Sequence, residues 1–231
     1  MEYISFRIRA ISFTTTDTFI LQVEQKNPVY EYSSGQYCYI RNPQSTTPDE
    51  SRPFSIASSP NTSTYIEFCV KIYGDWTRQL SRLKPGDHVL LSPPQDDTRL
   101  VADPYIVFLV GGVGIAPVMS MLRHVVHTSI NKNITFIYGN KTEKDIIYRQ
   151  ELESISRSHP EIHIVHILSE EPADSEWKGE RGFLTKELVQ KYVDITKNPH
   201  YYLFGNPVFL SIAREIVSKL KKEAPPRQQE S

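Results

Sequence analysis

The sequence predicts two successive domains: an antiparallel β-barrel, and then an α/β domain built on a parallel sheet. Two patterns in the 231 residues support this. In the first hundred residues, turns rich in proline, glycine, asparagine and serine separate short apolar or alternating runs, which is typical of a small barrel. After the segment 92–97, apolar runs alternate with amphipathic helical patterns, which is typical of a parallel sheet covered by helices. We therefore place the domains at residues 1–98 and 103–222, with a disordered tail at 223–231.

The barrel domain is expected to contain five or six short strands and one helix. The strand candidates are 4–11, 18–23, 36–40, 54–57, 65–72 and 88–91. Turns are expected at 27–28, 33–35, 59–61 and 84–87. The helix runs from Asp75 to Leu83, because Trp76, Leu80 and Leu83 then share one face.

The second domain alternates strands with helices. The predicted strands are 105–110, 134–138, 162–167 and 200–204, and the predicted helices are 117–127, 144–157, 183–192 and 207–222. In the first helix the apolar residues Val118, Met121, Leu122, Val125 and Val126 form one stripe.

Composition excludes several classes of function. The formal net charge of −1 gives no sign of a nucleic-acid-binding surface. No apolar run approaches the roughly 18 residues of a membrane span, and the N-terminus lacks a signal-peptide pattern. We expect Cys38 and Cys69 to be reduced core residues of a cytoplasmic protein, and two thiols are too few for an iron–sulfur cluster. The seven histidines show no metal-ligand spacing, so we predict no metal site.

A glycine-rich turn is the clearest chemical motif. The sequence Gly-Gly-Val-Gly-Ile-Ala-Pro at 111–117 directly follows the apolar run 105–110 and opens the first helix of the second domain. Pro117 suits a first helical turn, where its missing N–H costs nothing. Such a turn lets the backbone approach a diphosphate and directs amides and the helix dipole at it. Glycine turns are also common in purely structural roles.

Two segments of the barrel domain carry complementary chemistry. In Arg52-Pro53-Phe54-Ser55 the arginine suits a phosphate, the phenylalanine an aromatic ring system, and the serine a hydrogen bond on the opposite face. In Gly74-Asp75-Trp76-Thr77 a helix start and a hydroxyl could clamp a second phosphate. An ordinary strand and an ordinary helix start would also explain these segments.

Together these motifs resemble the ferredoxin–NADP reductase superfamily, and within it most closely the single-chain NAD(P)H:flavin oxidoreductases and oxygenase reductase components. The family's flavin signatures Arg-x-Tyr/Phe-Ser and Gly-x-x-Ser/Thr match 52–55 and 74–77. Its nicotinamide-nucleotide signature is complete at 111–117, and the segment beginning at Tyr138 resembles the adenosine side of that site. The resemblance covers nearly the whole chain.

The resemblance implies an NAD(P)H-dependent flavin oxidoreductase in which hydride passes to FAD, or to FMN or an exchangeable flavin. It implies Ser55 and Phe204 at the reaction centre. The implied cofactor-binding residues are Arg52, Pro53, Phe54, Ser55, Val70, Lys71, Gly74, Trp76, Thr77, Gly111, Gly112, Gly114, Ile115, Pro117, Asn140, Lys141, Gly205 and Asn206. The acceptor is expected to be free flavin, or alternatively a ferredoxin, haem or oxygenase partner protein.

One departure from the family pattern leaves a rival hypothesis. Phe204 stands where the family commonly has a cysteine near the nicotinamide. A chain that kept the fold but lost turnover would be a nucleotide-binding regulatory module. On the adenosine side, Lys141 and Arg149 tilt the expectation slightly towards NADPH, although a solvated lysine explains Lys141 equally well.

Overall fold

The computed structural model describes residues 2–25, 30–61, 64–95, 98–130 and 132–224. The predicted turn at 27–28 and most of the predicted tail lie outside these residues. The chain divides into two compact units, one of residues 1–100 with 116–129 and the other of residues 101–115 with 130–231. The first unit thus includes a helix that follows the glycine turn in the chain.

The first unit is built on six antiparallel strands. They are β1 (Ile4–Phe13), β2 (Thr18–Glu24), β3 (Tyr37–Arg41), β4 (Ser51–Ser55), β5 (Tyr65–Lys71) and β6 (His88–Leu91). Their order in the sheet is β4-β3-β6-β1-β2-β5. A bridge between Ile56 and Phe68 joins the end of β4 to β5, so the two edge strands meet and the barrel closes. The predicted barrel is therefore confirmed.

The barrel core follows from alternation along the strands. Phe6 and Ile8 of β1, like Cys38 and Ile40 of β3, point inwards and are at most 1% exposed. Helix α1 (Asp75–Leu80) covers one end of this core and buries Trp76 and Leu80. It stops three residues before the predicted end, although Leu83 is still buried.

The second unit holds a parallel sheet, as predicted. Its strands are β7 (Tyr105–Gly111), β8 (Asn133–Asn140), β9 (Ile162–Leu168), β10 (Glu180–Arg181) and β11 (His200–Phe204). They lie in the order β10-β9-β8-β7-β11, and every neighbouring pair is parallel. The two-residue strand β10 was not predicted, because two polar residues give no periodic signal.

The remaining helices are α2 (Ile115–Thr128), α3 (Arg149–Ser158), α4 (Lys186–Tyr192) and α5 (Pro207–Glu223). Helix α3 begins five residues after its predicted start at 144. A 3₁₀ turn at Glu143–Asp145 comes first, and Tyr148 then takes a left-handed backbone with φ 58°. Helix α4 begins three residues late, because the Thr185 hydroxyl accepts a bond from the Leu188 amide and so caps the helix there.

No helix in the described part of the chain is long and apolar enough to cross a membrane.

Candidate functional site

Strand β4 presents a cationic and aromatic face. Residues two apart on a strand share a face, so Arg52 and Phe54 lie on the same side. The Phe54 ring stacks on the Trp76 ring at a centroid distance of 5.9 Å and an angle of 17°. The guanidinium of Arg52 lies over Trp76 at 5.3 Å. The structure therefore brings together three of the predicted residues, two from the motif on β4 and one from α1.

Arg52 has an anionic partner that the sequence reasoning missed. Its Nε and Nη2 atoms donate to Oε1 of Glu50 at 2.7 and 2.6 Å. Glu50 also accepts from the Thr47 hydroxyl at 2.8 Å, and the hydrogen bonds from Thr47 and Arg52 lower the pKa of Glu50. The pair is more than one third exposed on both sides. The carboxylate thus occupies the guanidinium that the family resemblance assigns to a flavin phosphate.

Ser55 and Pro53 face the opposite side of β4. Ser55 is half-buried, and its hydroxyl has no hydrogen-bond partner among the described residues. A hydroxyl in that state can donate to, or accept from, a bound molecule.

Thr77 is occupied within its own helix. Its hydroxyl accepts from the amides of Tyr73 and Gly74 at 3.1 and 3.3 Å and donates to the Gly74 carbonyl at 3.1 Å. Thr77 is only 4% exposed. Its direct effect is therefore to order the start of α1, which carries Trp76.

The other predicted residues of this unit offer less side-chain chemistry. Val70 is fully buried in the core, so only its main chain could meet a ligand. The ammonium of Lys71 pairs with Asp17 at 2.7 Å. The indole Nε1 of Trp76, in contrast, is buried without a hydrogen-bond partner in the described part of the chain. Because Trp76 is only 3% exposed, its indole supports the Phe54 ring by stacking and offers no surface of its own to a ligand.

In the second unit, the three glycines of the turn at 111–114 are needed for different reasons. A side chain on Gly114 would meet the backbone of β11, because its Cβ would lie 2.6 Å from the Gly205 nitrogen. A Cβ on Gly111 would lie 2.9 Å from the Phe209 ring. Gly112 has φ +53°, a left-handed backbone that favours glycine, and no atom of the described residues lies within 4 Å of where its Cβ would be. Of the three glycines of the turn, it is the one whose surroundings leave room for a ligand. The carbonyl of Gly112 accepts from the Tyr138 hydroxyl at 3.0 Å, which ties the turn to β8.

Phe209 covers a row of glycines at the carboxyl edge of the sheet. Gly111 and Gly139 are paired between β7 and β8, and Gly205 directly follows β11. A Cβ on any of the three would lie within 3.4 Å of the Phe209 ring. The sequence signal was present, since a glycine stands at the end of each of these strands, but Phe209 itself gave none.

The end of β11 is shaped by stacking and capping. The Phe204 ring lies parallel to Tyr202, with centroids 6.3 Å apart and an angle of 4°. The Asn206 side chain accepts from the Phe209 amide at 2.9 Å and caps α5, with Pro207 in the first turn. Asn206 thus has a structural role, and the half-buried Phe204 ring is fixed on one face by Tyr202.

The basic residues near the end of β8 are paired with glutamates. Lys141 lies 3.0 Å from Glu170, and Arg149 lies 2.5 Å from Glu143 and 2.9 Å from Glu153. The hydrogen bond to Glu153, with the charge of Glu143, raises the pKa of Arg149. Glu170 is 29 positions from Lys141, whereas Glu153 lies one turn from Arg149 on the same helix, and none of these pairings was predicted.

Two buried nitrogen atoms without partners lie on the same strands. They are Nδ2 of Asn140 on β8 and Nδ1 of His166 on β9, each without a hydrogen bond among the described residues. His166 packs between Tyr138 and Trp177, with ring centroids at 5.8 and 6.3 Å. Burial lowers the pKa of His166 to about 4, so the ring is neutral at pH 7.

No group of three or more histidine, cysteine or acidic side chains in the described ranges is arranged to hold a metal ion.

Two protein families match the chain in succession. Residues 3–105 match the family described as "FAD-binding domain", and residues 108–215 match "Oxidoreductase NAD-binding domain". The match ranges coincide with the segments that contain 52–77 and 111–206.

Curated relatives are reductases. The reductase component of propane 2-monooxygenase from Rhodococcus jostii is 29% identical over 220 residues, covering 91% of this chain and 58% of the relative. NADH-cytochrome b5 reductase 2 of Saccharomyces cerevisiae is 29% identical over 167 residues, covering 69% of this chain and 55% of the relative. The chain thus spans a little over half the length of these two relatives.

Solved structures share the fold. The cytochrome b5 reductase domain of Ulva prolifera nitrate reductase has a TM-score of 0.81 at 19% identity, covering 95% of this chain and 93% of that one. A ferredoxin NADP+ reductase from Neisseria gonorrhoeae with bound FAD and NADP has a TM-score of 0.80 at 16% identity, covering 95% and 92%.

Proposed function

Because the chain belongs to the ferredoxin–NADP reductase superfamily, we propose that it is a flavin-dependent oxidoreductase that takes hydride from a reduced nicotinamide nucleotide. The observation that carries this proposal is the face formed by Arg52, Phe54 and Trp76. A cation beside a half-buried aromatic ring that stacks on the buried Trp76 suits a flavin nucleotide.

Bound FAD supplies the redox chemistry, and the protein supplies binding, orientation and electrostatics. In this proposal Arg52 binds a flavin phosphate after releasing Glu50, and Phe54, which stacks on the buried Trp76, provides the apolar surface. The unpaired Ser55 hydroxyl offers a hydrogen bond on the other side of β4. The open Gly112 position and the start of α2 receive the diphosphate of the nicotinamide nucleotide.

The test is a comparison of flavin binding and flavin reduction in purified protein. We expect FAD to bind and its absorbance to bleach when NADH or NADPH is added without oxygen. Arg52→Ala should weaken FAD binding at least about tenfold, because it removes a charge-assisted bond to phosphate. Arg78→Ala is the matched control, since Arg78 is an exposed arginine on α1 at 3.9 Å from Asp75. Bound FAD that stays oxidised with both nucleotides would instead favour the regulatory module, and Phe204→Cys would then show whether that ring blocks reduction.

We propose NADH as the donor, against the slight tilt towards NADPH that Lys141 and Arg149 suggested. A 2′-phosphate needs a free positive partner. Here glutamates neutralise both cations, and a 2′-phosphate would have to displace them. We expect kcat/KM to be higher for NADH than for NADPH. Glu170→Gln should bring the kcat/KM for NADPH closer to the kcat/KM for NADH. Glu215→Gln, which removes the exposed partner of Lys219, should leave the two values as they are in wild type.

We propose that electrons then pass to a partner protein, since the relatives include an oxygenase reductase component and a cytochrome b5 reductase. Free flavin remains the alternative acceptor. A partner-dependent enzyme should reduce free FMN slowly and a haem or iron–sulfur protein acceptor quickly. We also propose a cytoplasmic location, which the buried, unpaired thiols of Cys38 and Cys69 support.

A further inference from the structure

Glu67 on β5 is a buried carboxylate with a partner on each oxygen. It is 3% exposed. Its Oε1 accepts from Nη1 of Arg123 on α2 at 2.7 Å, and its Oε2 accepts from the Gln22 side chain at 2.7 Å. All these residues belong to the first unit. The flavin and nucleotide residues discussed above do not include this pair.

Arg123 also reaches the main chain beyond the flavin motif. Its Nη1 donates to the Ala57 carbonyl at 2.8 Å. Three residues earlier on α2, the fully buried Ser120 hydroxyl donates to the Ser58 carbonyl at 2.7 Å. Side chains three apart lie on one helix face, so this face of α2 is bonded to two consecutive carbonyls.

The acceptor segment is itself fixed. The Ser58 hydroxyl accepts from the Glu67 amide at 3.0 Å and lies 2.7 Å from the Tyr32 hydroxyl. The Ala57 amide donates to the Glu67 carbonyl at 2.7 Å. Residues 57–58 begin two positions after Ser55, so α2 is hydrogen-bonded to the segment that directly continues β4.

A polar network of this kind specifies a position in a way that apolar packing does not. Apolar side chains tolerate small shifts of a helix, whereas a buried charge must keep its partner. A shift of α2 along its axis would leave the Glu67 carboxylate buried without Arg123. The network therefore allows one register of α2 on this segment.

We propose that Arg123 and Glu67 are positioning residues that hold α2, and through it the glycine turn from which α2 begins, in the register required for the nicotinamide nucleotide. This rests on the proposed function for its catalytic consequence. It predicts that breaking the pair affects the nicotinamide nucleotide and leaves the flavin-binding face of Arg52 intact.

The test uses Arg123→Met, with Arg123→Lys as the conservative variant and Arg78→Met as an exposed control. In protein without nucleotides, we expect hydrogen–deuterium exchange of the α2 amides to rise at least about tenfold in Arg123→Met, with α5 amides unchanged. In the FAD-loaded enzyme we expect KM for NADH to rise about tenfold while the Kd for FAD changes less than about twofold. Arg123→Lys should recover part of both effects, and Arg78→Met should show neither.

Unchanged α2 exchange and unchanged KM in folded Arg123→Met would overturn the proposal, as would an FAD Kd that rises as much as KM. If Arg123→Met does not fold, the double variant Glu67→Gln/Arg123→Met removes both charges and carries the same comparison. A wild-type protein that binds no flavin or does not oxidise NADH would refute the proposed function. The exchange of α2 would still decide whether the pair fixes that helix.

Discussion

Gly114→Ala tests the claim that this glycine is required by backbone packing. The added Cβ would lie 2.6 Å from the Gly205 nitrogen, 2.7 Å from the Phe204 carbonyl carbon and 2.9 Å from the Gly205 Cα, where ordinary contacts are 3.4–4 Å. These are main-chain atoms at the end of β11, which is paired with β7 along its whole length. They cannot rotate away as a side chain could. Either β11 or the turn must therefore shift by several tenths of an ångström.

The size of the effect follows from that overlap. Adding a methyl group to a well-packed site costs about 1–3 kcal/mol. For a chain of this length each kcal/mol lowers Tm by roughly 2–4 °C, so we expect Gly114→Ala to melt roughly 2–12 °C below wild type. The assay is thermal unfolding followed by circular dichroism, without added nucleotide, so that stability is measured apart from binding.

Gly112→Asn is the matched control, because it adds a larger side chain two residues away. Its Cβ meets open space, and asparagine tolerates the left-handed backbone that φ +53° requires. We expect it to be less destabilising than Gly114→Ala. If Gly114→Ala melts within about 1 °C of wild type, or if Gly112→Asn is the more destabilised variant, the packing explanation is wrong.

Three further outcomes are expected. Glu50→Gln should tighten FAD binding by no more than about fivefold, because exposed ion pairs are weak. Fluorescence titration measures the Kd for FAD, and weaker binding would show that Glu50 does not compete for Arg52. Since the pKa of His166 in the folded protein is about 4 against 6.5 in the unfolded chain, stability should fall as the pH drops from 6.5 to 4, by up to about 3 kcal/mol. Urea unfolding of His166→Gln should show a flatter profile over that range, and an equally steep one would contradict the assignment. Ser55→Ala should slow flavin reduction on the order of 10²-fold while FAD stays bound, and stopped-flow rates equal to wild type would remove Ser55 from the reaction centre.

Most strands of both sheets could be predicted from sequence because burial leaves a local signal, although β4 spans Ser51–Ser55 rather than the expected 54–57 and β10 was not predicted. The run 105–110 is nearly the observed β7, since a strand covered on both faces is continuously apolar. The segment 200–204 coincides with β11, whose residues are mostly half-buried and whose aromatic side chains favour a strand. The start of α3 could not be predicted in the same way. It depends on the left-handed backbone of Tyr148, a conformation that is rare for tyrosine and that the sequence therefore does not predict.

The residues of the candidate site likewise differ in whether a local sequence pattern reveals them. Residues 52–55 and 111–117 are contiguous, so the sequence displays them. Other ion pairs join residues that are far apart in sequence: Lys141 meets Glu170 across 29 positions and Arg123 meets Glu67 across 56. Such pairs depend on tertiary structure, so a single sequence cannot assign them. For that reason the preference for NADPH that Lys141 and Arg149 suggest in the sequence differs from the preference for NADH that we propose from their pairing with glutamates.

Because the Phe209 ring packs on Gly111, Gly139 and Gly205, the effect of a substitution at these glycines depends on the residue at position 209. Gly111 has an extended backbone, with φ −121° and ψ 122°, that any residue could adopt, and the atoms nearest to where its side chain would go belong to the Phe209 ring. Alanine at position 111 should thus be harmful in this background and tolerated once position 209 carries a smaller residue. The two positions form an epistatic pair. We expect a smaller residue at 209 to remove this steric requirement for glycine at 111, so engineering of either position must treat both together.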